Sequence, residues 1–140
     1  AGVRLKAAES LALMGEMAFE PTLKTLKEIA SPEGRWAAVY ALGLMQNPAA
    51  VETIMRFATD TSADVREAVM EALGRIGDKK AADVLIQGLS DAEWAVRKKA
   101  ADGLGRIGEA RALPFLEEAL KREKSKDVEH TLRRAIEILR

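Results

Sequence analysis

Apolar residues recur at intervals of three and four along most of the chain, with charged residues in the gaps. Between Val65 and Ile76 they fall at Val65, Ala68, Val69, Ala72, Leu73 and Ile76, one face of an amphipathic helix. A second, shorter set follows at Val84, Leu85 and Leu89, and Phe115, Leu116, Ala119 and Leu120 repeat it further on. Gly77 stands just past the last periodic residue, where a left-handed residue closes a helix at least cost. Ser31-Pro32 supplies an N-cap and a first-turn proline. Pro21 and Pro114 suit the first turns of two second helices, and Asn47-Pro48 marks an inter-helix turn. No stretch alternates with a period of two for long enough to suggest a sheet. The pattern predicts first helices near 2–14, 33–45, 64–76, 95–107 and 127–139, and second helices near 20–30, 50–59, 81–90 and 112–123.

These helices come in copies. Arg4, Arg35, Arg66 and Arg97 stand 31 residues apart, and the stretch from Val65-Arg66 to Ile76-Gly77 matches that from Val96-Arg97 to Ile107-Gly108. Val3-Arg4 with Leu11, Met14 and Gly15 matches again, as do Arg35, Ala38, Leu42, Gly43 and Met45. A fifth copy begins one residue late at Val128 and runs through Leu132, Ile136 and Leu139. The expected units are 1–30, 31–61, 62–92, 93–124 and a half unit over 125–140. One hairpin is too small to bury its own apolar face, so neighbours must stack into one continuous core. Gly43, Gly74 and Gly105 recur inside first helices, where Gly costs about 1 kcal/mol relative to Ala. Their period suggests close helix–helix approach at a missing Cβ. The expected fold is an all-α, right-handed α-solenoid of about four and a half 31-residue repeats in one domain.

The pattern V-R-x-x-A…A-L-G-x-I-G resembles the HEAT-like repeats of bacteria and archaea, also called phycocyanobilin-lyase-type HEAT repeats, over nearly all of the chain. The resemblance implies a solenoid whose members serve as protein-binding scaffolds, bilin lyase subunits and appended regulatory domains. It also implies a buried inter-repeat ladder, built from an Asp six residues before the repeated Arg. Asp60/Arg66 and Asp91/Arg97 fit that spacing, whereas Ile29 replaces the acid before Arg35, so the ladder is expected to stop short of Arg35. A structural role is favoured over an anion site, because a partly buried pair must be hydrogen-bonded to offset its desolvation.

Composition narrows the chemistry. Zero Cys excludes disulfides, thiolate zinc sites and a catalytic thiol. Lys+Arg 22 against Asp+Glu 22 disfavours general nucleic-acid binding, and no apolar run approaches a membrane span of about 18 residues. Gly103 to Gly108 spells G-x-G-x-x-G, but its glycines close a helix instead of following a strand, so it predicts no dinucleotide site. His130 is the single imidazole and reads as a surface residue. The iron-dependent hydroxylases built from HEAT-like repeats carry several His-Glu motifs, and this chain has none. The basic run Lys121 to Lys126 is diluted by acids and lacks stacking aromatics. No catalytic residue, cofactor or metal is expected, and the compartment expected by default is the cytoplasm.

The sharpest departure from the repeat lies on the first helices. The outward positions of copies three and four hold Glu67, Glu71, Arg75 and Lys98, Asp102, Arg106, whereas copy two holds Trp36, Tyr40 and Leu44, beside Leu5 and Leu13 of copy one. Spacing of four puts the first three on one stripe, expected to face solvent and to bind a partner. Candidate occupants are another protein, a second copy, or a missing remainder of the chain, which begins inside a helix and ends after half a repeat; internal packing is a further alternative. Met55, Arg56, Ile86 and Gln87 form a secondary candidate groove on the second helices, and Trp94 is expected to cover a joint between copies. The expected function is a non-catalytic protein–protein interaction scaffold or regulatory module. The alternative, from the resemblance alone, is a subunit or domain of a bilin lyase or isomerase.

Overall fold

The computed structural model describes the backbone of residues 2–13 and 16–140 and the side chains of residues 4–10 and 17–140. The described residues form nine α-helices and no strand. The first helices are α1 (Gly2–Leu13), α3 (Pro32–Met45), α5 (Ala63–Ile76), α7 (Trp94–Ile107) and α9 (Lys126–Leu139). The second helices are α2 (Glu16–Glu28), α4 (Val51–Met55), α6 (Ala82–Gly88) and α8 (Leu113–Arg122).

Local chemistry sets the boundaries. Ser31 Oγ accepts from Gly34 N–H at 3.1 Å and Ser62 Oγ from Val65 N–H at 3.4 Å, capping α3 and α5. Gly77 and Gly108 close α5 and α7 at φ 76° and 72°, the left-handed conformation in which glycine has no Cβ penalty. Copy two uses Gln46 there instead, at φ 54°, and the amide of Gln46 donates to the Arg75 carbonyl at 2.9 Å. A 3₁₀ turn leads into α4, α6 and α8, over Pro48–Ala50, Lys79–Ala81 and Ala110–Ala112. Asn47 and Asp78 cap the first two of these turns with their side chains. In copy one the turn is absorbed into a continuous α2 that begins at Glu16. Pro21 therefore lies inside that helix and not in its first turn, where it removes one backbone bond. Pro114 does occupy the first turn of α8.

The first helices form a row, α1 on α3 on α5 on α7 on α9, and each second helix packs chiefly on the first helix that follows it. A single core runs between the layers from Phe19 to Ile136, with Leu42, Ile54, Leu73, Leu85, Leu104 and Leu116 fully enclosed. The row is tight because small residues meet at its crossings. A methyl group on Gly43 would come 2.8 Å from the Cα of Ala72, and one on Gly74 would come 2.8 Å from the Cα of Gly103.

Candidate functional site

The repeated Arg side chains thread the row together. Arg66 Nε and Nη2 donate to the two carboxylate oxygens of Asp91 at 2.9 and 3.2 Å, and its Nη1 donates to the Asp60 carbonyl at 2.8 Å. The Asp six residues before each Arg thus offers that Arg its backbone oxygen, while its carboxylate takes the fork of the Arg one copy earlier. The same carboxylates hold their own loops: Asp60 accepts from Ser62 N–H and Asp91 from Glu93 N–H, both at 2.9 Å. Hydrogen bonding to Asp91 raises the Arg66 pKa above its ordinary value, against the opposing effect of burial.

The ladder extends further at both ends than expected. Arg35 forks onto Asp60 at 2.8 and 3.2 Å, because its carboxylate comes from the following loop and Ile29 supplies only the upstream position. Arg97 forks onto Glu123 at 2.8 and 3.0 Å. Copy four is one residue longer, which moves its acid to 123, and the longer Glu side chain completes the rung. The Arg97 fork, followed by the backbone amide of Ser125, holds the Glu123 carboxyl below its ordinary value against the opposing effect of burial.

Arg4 is the repeat Arg without a rung, since Ile29 stands where the acid of its partner loop should be. Ile29 packs directly over Gly34, whose counterparts are Val65 and Val96, so an apolar contact replaces the ion pair there. Arg4 instead places its guanidinium 4.2 Å from the centre of the Trp36 ring and reaches Asp64 at 3.5 Å.

The aromatic stripe is accordingly not open to water, as the periodicity predicted, but half-buried. Trp36 stacks on Tyr40 with ring centres 5.0 Å apart and planes inclined by 20°, and Arg75 of α5 lies 5.9 Å from the Tyr40 ring. Trp36 also packs against the core, and Tyr40, Leu44 and Leu5 are half-buried. The cause is the close spacing of the row, which lets α1 and α5 shoulder the outward residues of α3. The side chain of Leu13 lies outside the described residues, as do Met14 and Gly15. On α5, burial pushes the Glu67 carboxyl up, although Lys99 opposes it.

Of the secondary set, Ile86 and Gln87 line an open groove of about 290 Å³ between α6 and α8, with Phe115, Glu118 and Arg122. Met55 is half-buried against the core and Arg56 is exposed; neither borders that groove. Phe115, which the periodicity places in the apolar set of the second helix, is instead 51% exposed and borders this groove, a place that sequence reasoning missed. Its counterparts in the two preceding copies are the smaller Val84 and Thr53, and that difference in size was the available signal. Trp94, the first residue of α7, is 48% exposed.

The description of HEAT repeats matches residues 19–93 and 58–137. The chain belongs to the HEAT repeat family. Among solved structures, the complex of CpcE and CpcF of phycocyanin lyase from Nostoc sp. PCC7120 is similar with a TM-score of 0.81 at 24% identity, covering 91% of this chain and 85% of that one. Human deoxyhypusine hydroxylase in complex with glycerol gives 0.71 at 26% identity, covering 91% of this chain but only 45% of that one. An engineered protein gives 0.69 at 21% identity, over 87% and 62%. No curated protein matches in sequence.

Within this HEAT repeat array, His130 is exposed on α9, and no group of three or more His, Asp or Glu among the described residues could hold a metal ion. No helix among them is long and apolar enough to cross a membrane.

Proposed function

We propose that this HEAT repeat chain is a protein–protein interaction scaffold with no catalytic activity of its own, and that the Trp36, Tyr40 and Leu44 stripe is a contact face. The observation that carries this reading is the replacement of a charged outward row by two stacked rings with Arg4 and Arg75 over them. Half-buried rings contribute contact area at little entropic cost, and Arg beside them adds donors for a partner's carbonyls and carboxylates. The similar CpcE–CpcF structure is itself a complex of two proteins, which lends the reading support.

The test compares the wild type with a Trp36→Ala, Tyr40→Ala variant by quantitative affinity purification and by mass measurement of the purified protein in solution. A specific partner, or a self-associated state, is expected to be lost in the variant while the helical spectrum is kept. Retention of the same partners and the same mass by the folded variant would overturn the assignment. A change in the absorbance of an added tetrapyrrole would instead favour the bilin lyase reading.

A further inference from the structure

The cleft between α7 and α9 departs from the rest of the row. Between α5 and α7 the outer rim is closed by Lys99 Nζ, which donates to Glu71 Oε1 at 2.6 Å. One copy later Thr131 stands where Lys99 does, opposite Asp102, and its hydroxyl turns back to the Asp127 carbonyl at 3.1 Å. No ion pair among the described residues closes this rim. The acid–Arg pairs along α5 and α7, Glu71–Arg75 and Asp102–Arg106, become Arg134 and Ile138 along α9. An open cleft of about 230 Å³ results, floored by Gly105 and Ala135 and rimmed by Lys98, Lys99 and Arg134. Ile138 borders it, 60% exposed.

The charges here do not balance internally. Asp102 is the only acid in the lining and Arg106 holds it at 3.0 Å, while Lys99 is taken by Glu71. Lys98 and Arg134 have no ion-pair partner among the described residues. We propose that this cleft docks an acidic segment of a partner polypeptide, with one carboxylate between Lys98 and Arg134 and a neighbouring apolar side chain against Ile138 and the Gly105 floor. An Arg fork and a Lys point charge suit a carboxylate, and the bare floor takes the carbon that follows it. A nucleic acid fits less well. No aromatic ring lines the cleft for base stacking, and its apolar floor offers nothing to a sugar–phosphate backbone. The site is separate from the Trp36 stripe and does not depend on it.

The probe is a fluorescein-labelled peptide of alternating Glu and Leu, titrated by anisotropy, with the same peptide carrying Gln for Glu and an oligothymidylate of equal charge as comparisons. The Glu peptide is expected to bind at least about tenfold more tightly than the Gln peptide and the oligothymidylate. Lys98→Glu, Arg134→Glu should remove that difference, and Trp36→Ala should leave it intact. Equal binding of the Gln peptide, no binding of the Glu peptide, or indifference to the charge reversal would each overturn the proposal. Tighter binding of the oligothymidylate would overturn it in favour of a nucleic-acid surface. Should the double reversal unfold, Arg134→Glu alone, on the exposed α9 rim, decides by the same readout.

Discussion

At the scale of single residues, identical glycines do different work. Gly74 meets backbone: an added methyl would lie 2.8 Å from the Cα of Gly103, with nothing flexible to yield. Gly105 occupies the same repeat position, but a methyl there would meet Ala135 and Ile138 at 3.4–3.5 Å, ordinary contact distance. Gly74→Ala should therefore lower stability by about 1–3 kcal/mol through overpacking. Gly105→Ala should be neutral or stabilising by up to about 1 kcal/mol, since Ala gains helix propensity without a clash. Paired denaturant titrations of the two variants check this, and equal losses would contradict it. The sequence presents both positions as the same Gly; only the partner across the crossing, Gly103 in one case and Ala135 in the other, separates them.

At the scale of elements, the first helices were legible from their period and closing residues and lie within a residue of their predicted bounds, whereas α2 starts four residues before the expected 20 and α4 ends four residues before the expected 59. The ladder was less legible. Its rungs join an Arg to an acid 25 or 26 residues later, so the rung depends on the next loop, and the shift to Glu123 looks like dilution of a basic run when read locally. The exposure of Trp36 and Tyr40 was misread for a related reason: it follows from helix spacing, which Gly and Ala on neighbouring helices set. The ladder has a pH consequence at Glu123. Its carboxyl sits below its ordinary value of about 4.5, chiefly through the Arg97 fork, so the folded state binds its proton less readily than the unfolded chain. The rung's contribution is present above that ordinary value and is lost as pH falls through the depressed folded one. Melting temperatures taken from neutral to acid should fall steeply over that window in the wild type. In Glu123→Gln the fall should be shallower, starting from a lower plateau.

At the scale of the whole molecule, stability is shared between neighbouring copies, and α9 differs from the first helices before it. On α9 the chemistry that joins one copy to the next is replaced: Glu129 stands at the ladder Arg position, Arg133 at that of buried Met70 and Ala101, and Glu137 at that of Gly74 and Gly105. Glu129 and Arg133 instead pair with each other at 3.1 Å along α9. Between the ends, coupling runs through the core and through the Arg35–Asp60, Arg66–Asp91 and Arg97–Glu123 rungs. Arg66 is central, bridging the loops before α5 and α7. Replacing it with Met leaves the Asp91 carboxylate, only 12% exposed, without its cation, at a cost of about 3 kcal/mol. In a one-dimensional array that loss falls on one interface, so the two sides should part company. Hydrogen exchange of Arg66→Met should show α1–α4 opening separately from α7–α9, whereas the wild type opens its core helices together. Arg66→Lys should rescue little, because a single ammonium cannot span both Asp91 oxygens and the Asp60 carbonyl. Uniform acceleration of exchange across all nine helices would place the coupling in the apolar core alone and reduce the ladder to local loop fixation.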